Sequence, residues 1–124
     1  MSYEWNNRKD TAQMLGRWQP FHEGHYALFQ EIVKITGQVC IQIRDVEGVD
    51  DNPFDFETVK KNIEDKLNPE FEGRFTIMLV PNITNISYGR GVGYKIKEVV
   101  LPEEIQKISA TKIRAKMRED GKLK

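Results

Sequence analysis

Two histidines three residues apart, His22 and His25, lie in the stretch Gly16-Arg17-Trp18-Gln19-Pro20-Phe21-His22-Glu23-Gly24-His25. Imidazoles so close together can serve an anion or share a metal. For a metal there is no evident third ligand, and the His-Glu-x-x-His arrangement is absent. The anion reading is better supported by what flanks the pair. Residues 11–15 read as a short strand, and residues 26–36 as a helix with Leu28, Ile32 and Ile35 along one face. The decamer is then a strand-to-helix turn. Gly16 and Gly24 let the backbone pass close to a ligand without Cβ interference. The unpaired amides at the helix start, at the positive end of its dipole, form an anion site whose usual occupant is phosphate.

The rest of the chain must position that turn. Gly37 is placed to stop the first helix. Residues 38–44 are a β-branched run suited to a buried parallel strand, completing a βαβ unit whose crossover is expected to be right-handed. An acidic loop follows, with Asp45, Glu47, Asp50 and Asp51. Asp55 can cap a helix over 56–67, with Phe56, Val59, Ile63 and Leu67 on one face, and Asn68-Pro69 should end it. Residues 75–80 read as a third buried strand stopped by Pro81. The glycines at 89, 91 and 93 suggest a mobile or ligand-facing loop. Residues 94–101 alternate and read as a fourth strand, and Pro102-Glu103-Glu104 turns the chain. Ser109 opens a last helix with Ala110, Ile113 and Met117 on a shared face.

This alternation predicts an α/β fold: a doubly wound, mostly parallel, Rossmann-like sheet flanked by helices on both faces, in a single small domain. Its ligand is expected beyond the carboxyl ends of the strands, at the switch point. Residues 1–10 read as a polar leader in which Trp5 finds a hydrophobic home, 11–120 as the domain, and 121–124 as a charged tail. The 124 residues suffice for one real core. Nineteen basic residues balance nineteen acidic ones, so no global field favours nucleic acid or an anionic membrane. The single cysteine, Cys40, excludes an internal disulfide framework and reads as a small buried hydrophobe. No apolar run approaches a membrane span and the N-terminus is too polar for a secretory signal, so the chain reads as cytoplasmic.

The decamer resembles the signature of the nucleotidyltransferase superfamily marked by a His-x-Gly-His motif, which includes the nicotinamide mononucleotide adenylyltransferases and the cytidylyltransferases. The superfamily's second signature, Ile-Ser-x-Thr-x-x-Arg, is matched by Ile108-Ser109-Ala110-Thr111-Lys112-Ile113-Arg114. Gly16-Arg17-Trp18-Gln19-Pro20-Phe21 is similar to the opening of archaeal-type nicotinamide mononucleotide adenylyltransferases, as are Asn52-Pro53-Phe54 and Val80-Pro81-Asn82-Ile83. The Arg-Thr-x-Gly run usual before the cytidylyltransferase signature is replaced here by Glu104-Ile105-Gln106-Lys107. The chain is tens of residues shorter than those adenylyltransferases, between Pro81 and Pro102.

The resemblance implies transfer of a nucleoside monophosphate, with AMP favoured over CMP, from a nucleoside triphosphate to a small phosphorylated acceptor, releasing pyrophosphate. It implies that His22 and His25 donate hydrogen bonds to the phosphoryl oxygens. Ser109, Thr111 and a second helix N-terminus would serve the β- and γ-phosphates, and Arg114 would supply a permanent charge for the leaving pyrophosphate. Arg17 and Lys112 are further phosphate candidates. Mg²⁺ would arrive with the triphosphate, and no protein ligand for it is evident. Four residues keep two readings. Trp18 and Phe21 either wall the base or acceptor pocket or pack in the core. Asp45 either meets the acceptor or is a surface charge, and Arg90 either contacts ligand or sits on a plain loop. A nucleotide-binding module without turnover, and a partner or homodimer interface, are the other functional classes. The whole scheme requires Ser109, Thr111 and Arg114 to fold back onto the histidine turn.

Overall fold

The β-branched run Val39–Arg44 (β2) is the central strand of a parallel sheet in the computed structural model, which describes residues 3–49, 51–90 and 93–123. On its flanks lie β1 (Ala12–Gly16) and β3 (Phe75–Val80), in the order β1-β2-β3. Met14 stands opposite Ile41, which stands opposite Ile77. Because side chains alternate across a strand, Val39, Ile41 and Ile43 share one face and are all buried. Helix α1 (Glu23–Thr36) sends Phe29, Ile32 and Val33 onto that face, and α2 (Phe56–Phe71) sends Val59, Ile63 and Leu67. Each such side chain contributes about 1.5–3 kcal/mol when removed from water.

Both long helices therefore cover the same side, so the sheet is not enclosed on two faces by the described residues. On the other face Gln13 donates to Gln42 Oε1 at 2.6 Å, Cys40 is only half-buried, and Met78 is 45% exposed. Nor does the strand order reverse, so the described sheet contains no switch point. The expected fourth strand is absent: residues 94–101 carry no ladder pairing, and Tyr94, Ile96 and Val100 are exposed. Alternation describes what a strand edge can accept, and here no edge accepts it. Val99 alone of this stretch packs against the core.

The helix boundaries moved for identifiable reasons. α1 begins three residues before the expected start because His22 acts as its N-cap. Gly37 closes it in the left-handed region at φ 85, as expected. Asp55 Oδ1 accepts from the Thr58 amide at 2.8 Å and opens α2. α2 runs through Pro69 to Phe71, past its expected end. Proline in a last turn forfeits one backbone bond, and Phe71 offsets this by packing edge-on to Phe29 at 5.1 Å. A one-turn helix, α3 (Glu103–Gln106), occupies the expected turn before α4 (Ala110–Glu119). No helix is long and apolar enough to cross a membrane among the described residues.

The leader is anchored by Tyr3 rather than by Trp5, whose Nε1 donates locally to Asn7 Oδ1. Gln38, fully buried, accepts from the Tyr3 hydroxyl and the Asn6 amide, and donates to Asn6 O at 2.7 Å and Thr11 Oγ1 at 2.6 Å. Removing this amide leaves buried polar groups unpaired. Gln38→Ala is expected to lower the unfolding free energy by about 2–3 kcal/mol, measured as a shifted urea midpoint at unchanged slope.

Candidate functional site

The histidine turn is built by two rings that replace ordinary helix caps. His22 Nδ1 accepts from the Gly24 amide at 3.0 Å, and the His22 amide donates to His25 Nδ1 at 3.1 Å. This is the reciprocal arrangement of a capping box with imidazoles in place of a hydroxyl and a carboxylate. Its consequence is chemical. Each Nδ1 receives a backbone N–H, so each neutral ring must carry its proton on Nε2, where it can only donate. Among the described residues neither Nε2 has a hydrogen-bond partner. The rings stack with centroids 3.6 Å apart.

Charge on this pair is suppressed. Burial, then the neighbouring His22, pushes His25 down to about 3. Burial, then the Lys66 ammonium, lowers His22. Lys66 itself pairs with Glu23. At neutral pH the site therefore offers two neutral donors. Below about pH 6.5 the unfolded ring binds a proton that native His25 refuses. Stability is full above that pH and is lost as pH falls towards 3. The expected loss is on the order of 2–4 kcal/mol between pH 6.5 and 3.5, read by urea titrations. A His25→Asn variant should flatten that slope.

The turn before the rings is held by unusual backbone. Trp18 sits at φ 54, a region that bulky residues rarely occupy and that costs about 1–3 kcal/mol. Its indole Nε1 donates to Gln42 O at 3.1 Å, and its ring meets His25 edge-on at 4.7 Å. A Cβ at position 16 would lie 2.6 Å from the Trp18 ring, and one at position 24 would lie 2.8 Å from His22 Cε1. The space that Gly16 and Gly24 leave is filled by the protein's own rings, and Gly16 also lines the cleft beside His25 and Arg114. Gln19, 4% exposed, exchanges two bonds with the Phe54 backbone, at 3.0 and 2.9 Å, and so ties the turn to the loop before α2.

The two ends of the chain meet here. A cleft of about 180 Å³ at the carboxyl end of β1 is lined by Leu15, Gly16, Arg17, Trp18, Gln19, His25, Ala110 and Arg114. Arg114 is 3% exposed. Its Nη1 donates to Gln19 O, and its Nη2 to Asp51 Oδ2 at 3.0 Å and Thr111 Oγ1 at 3.4 Å. Its Nε is buried without a partner among the described residues. Periodicity marked the apolar residues of α4 as its inward face. Yet Ile113 and Met117 are only half-buried, and Arg114 is the buried residue.

The other expected site residues fall in different places. Ser109 Oγ accepts from the Lys112 amide at 3.4 Å as the N-cap of α4. Thr111 and Lys112 are exposed beside the cleft wall formed by Ala110. Arg17 is exposed, with Nη1 3.5 Å from Asn52 Oδ1. Phe21 is buried against Trp18 and His25, which selects its core reading, whereas Trp18 is both buried and a cleft wall. Asp45 and Arg90 are exposed and line no part of this cleft. Gln19, Asp51 and Arg118 were missed. Asp51 was visible only as one acid in an acidic loop, Gln19 only as a member of the decamer with no role of its own, and nothing local marks Arg118. No group of three or more His, Cys, Asp or Glu that could hold a metal occurs among the described residues.

A comparison of the chain with protein-family models, with curated proteins and with solved structures found no match. The functional reading therefore rests on the geometry of the cleft and on the two sequence motifs that meet there.

Proposed function

We propose that the chain is a nucleotidyltransferase that moves a nucleoside monophosphate, preferentially AMP, from a Mg²⁺-bound nucleoside triphosphate to a small phosphorylated acceptor. The observation that carries this reading is the shared cleft. A neutral, Nε2-protonated His25 and the buried guanidinium of Arg114 line the same 180 Å³. Neither group is placed to act as a nucleophile, and no covalent intermediate is required. An acceptor phosphate oxygen attacks the α-phosphorus, the α–β phosphoanhydride bond breaks, and pyrophosphate leaves with the electron pair. The imidazoles donate hydrogen bonds to the oxygens on which charge grows, while Arg114 attracts the departing diphosphate. Holding both reactants at one turn supplies the remainder as positioning.

The volume supports a division of labour. Whole drug-sized ligands occupy roughly 300 Å³ or more, so this cleft suits phosphate groups, with the base on the more open surface. The missing middle segment would ordinarily help to hold base and acceptor. The adenylyl preference comes from the resemblance of the Gly-Arg-Trp-Gln-Pro-Phe turn, and a doubly wound fold belongs to the same resemblance. A chain consuming nucleoside triphosphates is expected in the cytoplasm.

The test is a melting-temperature screen with ATP, CTP, GTP and UTP, each with Mg²⁺. A ligand that binds the native state raises the midpoint. The largest rise is expected with ATP. A larger rise with CTP would replace the adenylyl reading by a cytidylyl one, and no rise with any triphosphate would reject the proposal.

A further inference from the structure

Asp51 does something that the transfer scheme leaves unused. Its carboxylate spans two guanidiniums on successive turns of α4, with Oδ2 at 3.0 Å from Arg114 Nη2 and Oδ1 at 2.8 Å from Arg118 Nη2. Both arginines hold its carboxyl below the usual carboxylate range, Arg118 most strongly. Residues four apart lie on one helix face, so the two cations form a fork that one anion with oxygens on both sides can bridge.

We propose that Asp51 is an internal counter-ion filling a two-arginine diphosphate site, Arg114 with Arg118, and that the diphosphate of substrate or product displaces it. Three features distinguish this from a plain structural ion pair. Arg114 stays fixed without Asp51, because Gln19 O and Thr111 Oγ1 also receive its donors. Asp51 is the replaceable partner: its side chain is 43% exposed and it belongs to a loop without helix or strand. The Arg114 Nε, buried and unpartnered, leaves the guanidinium with donor capacity that a single carboxylate oxygen does not fill. A diphosphate carries more oxygens and more charge than a carboxylate and satisfies such a fork better. The loop that bears Asp51 also carries Asn52, whose Oδ1 accepts from Arg17 Nη1 at 3.5 Å, so the same loop touches a second residue of the cleft lining.

The inference deepens the reading of Arg114 as a phosphate ligand and rests on it. Inorganic pyrophosphate is the probe, with binding followed by calorimetry on the full chain. Asp51→Asn is expected to tighten pyrophosphate on the order of tenfold by removing the competing charge. Adding Arg118→Gln to that variant should cancel most of the gain. Equal or weaker binding by Asp51→Asn, or no binding by either protein, overturns the proposal. Should Asp51→Asn not fold, hydrogen exchange on the unaltered chain decides. Pyrophosphate should speed exchange of the amides at 46–49, 51, 52, 54 and 55, and unchanged or slower exchange there overturns the proposal. Turnover is scored separately. Tightening without any pyrophosphate release from nucleoside triphosphates would retain the counter-ion and reject the transferase, whereas release without tightening would do the reverse.

Discussion

His25→Ala is expected to lower kcat for pyrophosphate formation by about 100- to 1,000-fold, the scale for losing one donor aimed at a transition-state oxyanion. Affinity for the triphosphate should fall much less, because the imidazole is neutral and contributes no standing charge to ground-state binding. His25 Nδ1 also caps the His22 amide, so the variant should lose about 1 kcal/mol of stability. That loss leaves nearly all molecules folded and cannot account for a hundredfold effect. His22→Ala should resemble it, since His22 caps the Gly24 amide and stacks on His25. The two rings orient one another, so the double variant should be far less than the product of the single effects. Steady-state kinetics on the three variants, beside urea unfolding, would check this. A kcat within threefold of the unaltered protein for His25→Ala would remove the imidazoles from the mechanism.

The second large effect concerns Arg114. Arg114→Lys preserves charge, yet a lysine cannot reach Gln19 O, Asp51 and Thr111 at once, because it lacks the planar fork. The expected result is a loss of about 2–3 kcal/mol in stability together with at least a hundredfold loss of pyrophosphate formation. The stability figure lies below that for breaking a fully buried ion pair, about 3–5 kcal/mol, because Asp51 is half-exposed, can rehydrate and keeps its bond to Arg118. Arg114→Met should retain the stem packing and lose activity equally. If both variants melt as the unaltered chain does, the guanidinium is not the pin between α4 and the histidine turn.

Much of the framework was legible because it depends on local rules. The three parallel strands, the Asp55 cap, the Gly37 stop and the Val59-Ile63-Leu67 stripe each follow from a few neighbouring residues. What failed to show were features decided across the chain. The pattern of residues 94–101 is compatible with a strand, but a strand exists only where an edge receives it. α2 passes Pro69 because Phe71 finds Phe29, a contact invisible from residue 69. The histidine pair was conspicuous as a motif, but its role as a cap was not, since imidazoles seldom do what serine or aspartate usually does at that position. Glycines at 16 and 24 were read as clearance for a ligand; the Trp18 and His22 rings occupy that clearance.

At the site, the motif pointed to Arg114 while periodicity pointed to Ile113 and Met117. The fold buries Arg114 at 3% exposure and gives it Gln19, Thr111 and Asp51 as partners. Asp51 and Arg118 could not be found from sequence, because an acid in an acidic loop and an arginine on a basic helix are ordinary surface residues until they meet.

The most direct measurement is pyrophosphate release from ATP and Mg²⁺ with a set of small phosphorylated acceptors that includes nicotinamide mononucleotide, run in parallel on the unaltered chain and on His25→Ala. The account predicts acceptor-dependent pyrophosphate, without orthophosphate, from the first and at least a hundredfold less from the second. Orthophosphate in place of pyrophosphate, or equal rates from the two proteins, would contradict it.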